Sequence, residues 1–86
     1  MNNVLAVFRS RTQTRYFAEL MVREGRFVRI VGTPSAVRVG CGVSAKIAYT
    51  DISLAKRIIR GRGLNGFYGF YEISVKGGAT VLTPLR

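Results

Sequence analysis

Residues 4–30, VLAVFRSRTQTRYFAELMVREGRFVRI, decide the fold class of this 86-residue chain. Val4–Phe8 is a continuous apolar run of strand length, which is typical of an inner strand. Between Thr14 and Glu24 the apolar residues recur at helical spacing, and the glycine that follows suits the C-terminal end of a helix. Phe27–Val31 alternates around Arg29 as a half-buried strand does. The stretch therefore predicts a strand, a helix and a second strand.

The rest of the chain predicts the same kinds of element. Gly32–Gly42 contains three glycines and a proline and is predicted to be a loop. Val43–Tyr49 alternates apolar and polar residues as a third strand does. Ser53–Arg60 places one apolar stripe on a second helix, and Phe67–Val75 is predicted to be a fourth strand.

This order of elements predicts an α+β fold, namely a ferredoxin-like βαββαβ sandwich. A four-stranded antiparallel sheet of order 4-1-3-2 is expected to carry both helices, near Thr12–Glu24 and Ser53–Arg60, on one face. We expect residues 1–86 to form a single ferredoxin-like domain, with 79–86 as a short tail that is able to add an edge strand. The residues expected to fill the core between helices and sheet are Phe17, Leu20, Met21, Leu54, Ile58, Ile59, Leu5 or Val7, Val28, Ile30, Ile47 and Ile73.

Basic residues strongly outnumber acidic ones. The chain has 14 lysines and arginines and four aspartates and glutamates, which gives a formal net charge of +10. A charge of this sign favours acidic partners such as nucleic acid, an acidic protein surface or an anionic cofactor. A solubilising surface explains the charge as well, because the arginines are spread along the chain. The composition therefore indicates the charge of a partner without choosing its class.

Composition also excludes several classes of protein. The hydrophobic fraction of 48% is typical of a folded chain. No apolar run reaches the roughly 18 residues of a membrane helix, and residues 1–8 lack the features of a secretory signal, so we expect a cytoplasmic protein that does not enter a membrane. One cysteine and no histidine leave no ligand set for a structural zinc, so we expect no metal and no cofactor.

Cys41 is the residue whose position suggests chemistry. It lies between Gly40 and Gly42, which have no side chains to shield its sulfur. A thiolate accepts and passes on sulfur by exchange without a general base, so a carrier role needs no histidine. Free cysteines are also among the most buried residues, so a space-filling role is the alternative.

Positive charge is expected beside this thiol. In the predicted sheet, strands one and two run toward the same end, so the Cys41 loop and the start of the first helix emerge together. The helix dipole and the side chains of Arg9, Arg11 or Arg38 would then favour the thiolate over the thiol. We therefore expect Cys41 to be accessible to solvent and reactive.

The segment FVRIVGTPSAVRVGCGVSAK, residues 27–46, carries a resemblance to a known family. The spacing of Pro34, Cys41 and Gly42 is its most specific part. Over roughly residues 4–60 the chain resembles the selenium or sulfur carrier-like proteins. The resemblance implies a ferredoxin-like domain that carries persulfide sulfur or selenium on Cys41, in a loop supported by Pro34 and the two flanking glycines. It also implies a sulfur- or selenium-transfer protein as partner, and it favours a carrier or binding protein over an enzyme.

The segment GFYGFYEI, residues 66–73, supports two alternatives. Strand alternation places Tyr68 and Phe70 on one face, which is the open face of the sheet if the other residues meet the helices. There they would join Arg29 and Lys46 in a surface that binds RNA, although the spacing of the glycines differs from that of an RNA-recognition motif. In the second alternative the aromatic side chains form core or a homodimer interface, and the cysteine is incidental.

Overall fold

A computed structural model describes residues 3–35, 37 and 40–85 of the chain. Within these residues the chain forms five strands, two α-helices and one short 3-10 helix. In chain order the elements are β1 (Asn3–Phe8), α1 (Arg11–Arg23), β2 (Arg29–Gly32), β3 (Val43–Ala48), the 3-10 helix (Tyr49–Asp51), α2 (Ile52–Gly61), β4 (Phe67–Lys76) and β5 (Ala79–Leu85).

The five strands form one antiparallel sheet of order β2-β3-β1-β4-β5. β1 lies at its centre, where Val4 is opposite Ile47 of β3 on one side and Glu72 of β4 on the other. The predicted α+β class and the antiparallel sheet are confirmed. The order expected for the first four strands, 4-1-3-2, is present within the five-stranded sheet.

The predicted number of four strands is wrong, because residues 79–85 form β5 instead of a tail. Gly77 and Gly78 have φ angles of 57° and 79°. Two successive residues in this left-handed region make the tight turn that joins antiparallel strands, and glycine adopts it without a steric penalty. β5 consequently pairs with β4 along its length, from Ala79 opposite Lys76 to Leu85 opposite Phe70.

Both α-helices lie within one residue of their predicted bounds at each end. α1 begins after Ser10, whose Oγ accepts a hydrogen bond from the backbone N–H of Gln13 at 3.2 Å. Asp51 occupies the N-cap position of α2 but makes no side-chain capping bond. Its carboxylate instead lies 3.4 Å from Nε of Arg26. Neither helix described in residues 3–35, 37 and 40–85 combines the length and apolar character needed to cross a membrane.

The main core lies between the helices and one face of the sheet. Alternate residues of β1 and β3 point into it, and α1 contributes the apolar stripe that its helical spacing predicts. Its buried members are Val4, Ala6, Phe8, Phe17, Met21, Ala45, Ile47, Ala55, Leu64 and Phe70. Leu54, Ile58 and Ile59 of α2 are half-buried against this cluster. Both helices therefore cover the same face of the sheet.

A β-bulge breaks the alternation of β4 between Tyr68 and Phe70. Val7 of β1 lies opposite Gly69, whereas the next residue, Phe8, lies opposite Phe67, so Tyr68 is an extra residue in β4. Phe67 and Phe70 therefore both reach the helix side, although they are three residues apart, and their ring centroids lie 4.8 Å apart. The prediction that Phe70 lies on the open face is wrong, because Phe70 is opposite Ala6, whose side chain is in the main core.

The second face of the sheet is partly covered by the loop between β2 and β3. Leu5 and Val7 of β1 are buried there against Val37 of the loop. Ile73 also lies on this face, so its predicted place under the helices is wrong, as is that of Leu5 or Val7. The sequence pattern alone did not predict that a loop would fold over this end of the face.

Candidate functional site

The loop between β2 and β3 places Cys41 at the end of β1. The backbone N–H of Cys41 donates a hydrogen bond to the carbonyl oxygen of Phe8 at 3.2 Å. On the other side, the N–H of Thr33 donates to the carbonyl of Gly42 at 3.0 Å, which closes the loop at its base. Pro34 supports a turn inside the loop, because its carbonyl accepts a bond from the N–H of Val37 at 2.9 Å.

The glycines on either side of Cys41 have a conformation that other residues avoid. Gly40 has a φ of 102° and Gly42 a φ of 91°, and no non-glycine residue among those described has a positive φ. A Cβ atom on Gly40 would lie 3.0 Å from the carbonyl oxygen of Phe8 and 3.1 Å from Cγ1 of Val7. The two glycines therefore let the loop lie directly on the end of β1.

The Cys41 thiol is half-buried beside the first turn of α1. Its Sγ lies 3.5 Å from the carbonyl oxygen of Val43, to which the thiol donates, and 3.6 Å from Oγ1 of Thr14. The side chain of Thr14 is fully buried, and its hydroxyl donates to the carbonyl of Ser10 at 2.9 Å. The thiol therefore faces a buried hydroxyl that can either donate or accept a hydrogen bond.

Sequence analysis did not identify Thr14 as part of this site. It occupies the same buried stripe of α1 as Phe17 and Met21, where every other buried residue is apolar. A threonine in such a stripe needs a hydrogen-bond partner, because an unpaired buried hydroxyl destabilises the fold. The sequence signal was therefore present at Thr14, but only the fold shows that Cys41 is one of the neighbours.

The predicted positive charges are divided between two places. Arg11 is the first residue of α1, and its Nη2 donates to the carbonyl oxygen of Cys41 at 3.3 Å. Arg9 lies over the ring of Tyr68, with its guanidinium carbon 5.3 Å from the ring centroid. Arg38 lies outside the described residues. Of the two described arginines predicted to lie beside the thiol, Arg11 is hydrogen-bonded to the Cys41 loop and Arg9 lies over Tyr68.

The second face of the sheet brings together three of the four residues predicted for an open binding surface. Arg29 and Lys46 are paired across β2 and β3, and Lys46 is opposite Leu5. Tyr68 is exposed, and its ring is nearly parallel to that of Tyr71, with centroids 6.5 Å apart.

Phe70, the fourth predicted member, is 5% exposed and lies in the core under the helices. The pKa of Tyr71 is raised above its usual value, mainly by burial and then by the charge and hydrogen bond of Tyr68. Tyr71 therefore takes the place predicted for Phe70 on this face.

A comparison with known protein families identifies the chain. A family model described as "Putative Se/S carrier protein-like" matches residues 3–72. The chain belongs to this family. The match begins in β1 and ends within β4, so it includes Cys41 with its flanking glycines and excludes β5. No curated protein and no solved structure matches the chain.

The described part of this Se/S carrier-like chain contains no group of three side chains suited to binding a metal ion. The four acidic residues of the chain are separated, and the thiol of the one cysteine has neutral hydrogen-bond partners. The candidate site therefore consists of Cys41, its two glycines, Thr14 and Arg11.

Proposed function

We propose that the protein carries sulfur or selenium on Cys41 and passes it to a partner protein. The observation that supports this most directly is the position of the thiol. It is half-buried at the start of α1 and held between two glycines whose backbone conformation disfavours other residues. Family membership supports the same assignment. The order β4-β1-β3-β2, with two helices on one face, supports the ferredoxin-like topology that accompanies it.

The proposed transfer is a thiol exchange with no net redox change. The Cys41 thiolate attacks the outer sulfur of a persulfide on a donor, and a new S–S bond forms at Cys41. The S–S bond of the donor breaks, and the donor leaves as a thiolate, which takes up the proton released by Cys41. In the second half of the cycle, an acceptor thiolate attacks the outer sulfur on Cys41 in the same way. Cys41 is then restored as a thiolate.

A hydroxyl group and the start of α1 lie beside the sulfur. A thiolate or terminal persulfide is stabilised by hydrogen-bond donors and by the positive end of a helix dipole. The Thr14 hydroxyl, 3.6 Å from Sγ, can rotate from the carbonyl of Ser10 to donate to sulfur. The first turn of α1 contains no acidic residue, and Arg11 is bonded to the Cys41 carbonyl. The site therefore has a possible hydrogen-bond donor at the sulfur and a cation at the Cys41 carbonyl.

Loading of purified protein with a low-molecular-weight persulfide tests the proposal. Intact-mass spectrometry is expected to show a gain of one sulfur atom that is removed by a thiol reductant. Cys41→Ser is expected to abolish the gain, whereas Thr12→Ser, a conservative change on the exposed side of the same helix turn, is expected to leave it unchanged. Equal sulfur gain by wild type and Cys41→Ser would overturn the proposal.

A further inference from the structure

Acidic residues are absent from the end of the molecule that carries Cys41. The chain has only four of them. Glu19 and Glu24 lie in the middle of α1 and at its far end, and Asp51 lies where β3 leads into α2, also at the far end. Glu72 is opposite Val4, near the start of β1. All four acidic side chains therefore lie away from the end of β1.

Arginines occupy the same end of the molecule. Arg9 follows β1 directly, Arg11 begins α1, and Arg62 follows α2 in the segment that leads to β4. All three side chains belong to exposed residues. Backbone bonds hold this end together, because the N–H of Arg9 donates to the carbonyl of Gly66 at 2.7 Å. The thiol is therefore located on a surface whose fixed charges are all positive in the described residues.

The shape of this surface permits close approach to the thiol. Gly40 and Gly42 are exposed and have no side chains to block a partner. At the bulge opposite the end of β1, Tyr68 is 41% exposed and carries the guanidinium of Arg9 over its ring. Tyrosine and arginine are among the residue types that contribute most to the free energy of protein–protein binding. Tyrosine has few rotatable bonds, so it loses little conformational freedom when it forms a contact. The surface thus combines positive charge, an interface-forming pair and an accessible thiol.

We infer that this end is the docking surface for an acidic protein loop that carries the donor or acceptor sulfur. The inference rests on the proposed function, because a sulfur transfer requires the partner sulfur to reach a half-buried thiol. A protruding acidic loop is complementary to the surface in both charge and shape. A nucleic acid is the weaker match, because the bulge turns Phe67 and Phe70 into the core and leaves Tyr68 as the exposed ring there.

Two synthetic peptides with a central cysteine persulfide serve as probes. In one peptide the cysteine is flanked by glutamates, and in the other the glutamates are replaced by glutamines. At low ionic strength the glutamate peptide is expected to transfer sulfur to Cys41 about tenfold faster, and high salt is expected to remove the difference. The rate is measured by intact mass after rapid quenching with acid.

Arginine variants locate the effect on the surface. The double variant Arg9→Gln/Arg11→Gln is expected to lower the rate of the glutamate peptide about fivefold more than that of the glutamine peptide, whose rate reports any direct effect of Arg11 on the Cys41 loop. Arg23→Gln/Lys56→Gln serves as the control, because it also removes two positive charges, from exposed helix residues away from Cys41, and it is expected to change either rate less than twofold. An equal effect of the two double variants would mean that only net charge matters, and would overturn the docking surface.

A disulfide version of the experiment separates this inference from the proposed function. Each peptide is joined to a chromophoric thiol, and its exchange with Cys41 is followed by absorbance. A preference for the glutamate disulfide in a protein that never gains sulfur supports the surface and overturns the carrier role. Sulfur gain at equal rates from both peptides supports the carrier role and overturns the surface. A single-stranded oligonucleotide that blocks exchange at lower concentration than a cysteine-free glutamate peptide of equal charge would overturn the protein partner.

Discussion

Replacing Gly40 by alanine is expected to destabilise the fold at the thiol loop. A non-glycine residue at a φ of 102° costs roughly 1 to 3 kcal/mol in backbone conformation. The new Cβ also lies 3.0 Å from the carbonyl oxygen of Phe8, a backbone atom that cannot turn aside. Crowding of this kind adds about 1 to 3 kcal/mol. The free energy of unfolding is therefore expected to fall by roughly 2 to 6 kcal/mol.

Urea denaturation followed by circular dichroism measures this change, and two other glycines supply the controls. Gly77 has a φ of 57° but no atom within 4 Å of the added Cβ, so Gly77→Ala is expected to cost about 1 kcal/mol. Gly32 has neither a positive φ nor an atom within 4 Å of the added Cβ, so Gly32→Ala is expected to change stability by less than about 0.5 kcal/mol. A Gly40→Ala variant no less stable than Gly77→Ala would refute the close packing of the loop on β1.

Three further predictions concern side chains. Phe70→Ala is expected to lower the free energy of unfolding by about 3 to 5 kcal/mol. Tyr68→Ala is expected to lower it by about 1 kcal/mol or less. Similar losses for the two variants in thermal or urea unfolding would contradict the bulge. Thr14→Val is expected to slow alkylation of Cys41 about fivefold at fixed pH, the equivalent of roughly 1 kcal/mol for one hydrogen bond, with Thr12→Val as an unaffected control. The raised pKa of Tyr71 means that the folded state holds its phenolic proton more tightly than the unfolded state, so this contribution to stability is complete below pH of about 10 and lost at higher pH. Denaturation at increasing alkaline pH is expected to show a smaller loss of stability in Tyr71→Phe than in the wild type. The same dependence of stability on pH in both proteins would contradict a raised pKa for Tyr71.

The elements that local patterns specify could be predicted from the sequence. Val4–Phe8 is a buried central strand, as its continuous apolar run indicated, and the two helices follow their apolar stripes. The faces of β4 could not be predicted in the same way. Alternation assumes an unbroken strand, and the extra residue at Tyr68 shifts the register relative to β1. A bulge depends on both partner strands, so the sequence of one strand does not reveal it.

The candidate site was predictable in part, for a related reason. The glycine-flanked cysteine and Arg11 were identified from their sequence positions, and the structure places them together. Thr14 was missed because its relation to Cys41, 27 residues away, exists only after the loop folds back on α1. After the glycine pair, the sequence allows an edge strand at Val81 and Leu82, but its full length over Ala79–Leu85 follows from pairing with β4.

During synthesis, β1 can pair with β3 before its second neighbouring strand, β4, has been made. One edge can pair as soon as β3 has been made, but the other edge stays open until the ribosome has added β4, residues 67–76. An unpaired edge of an apolar strand is a template for pairing with other chains. A nascent chain stopped after α2 therefore exposes the edge of Val4–Phe8, and a prematurely terminated product of that length is prone to aggregate.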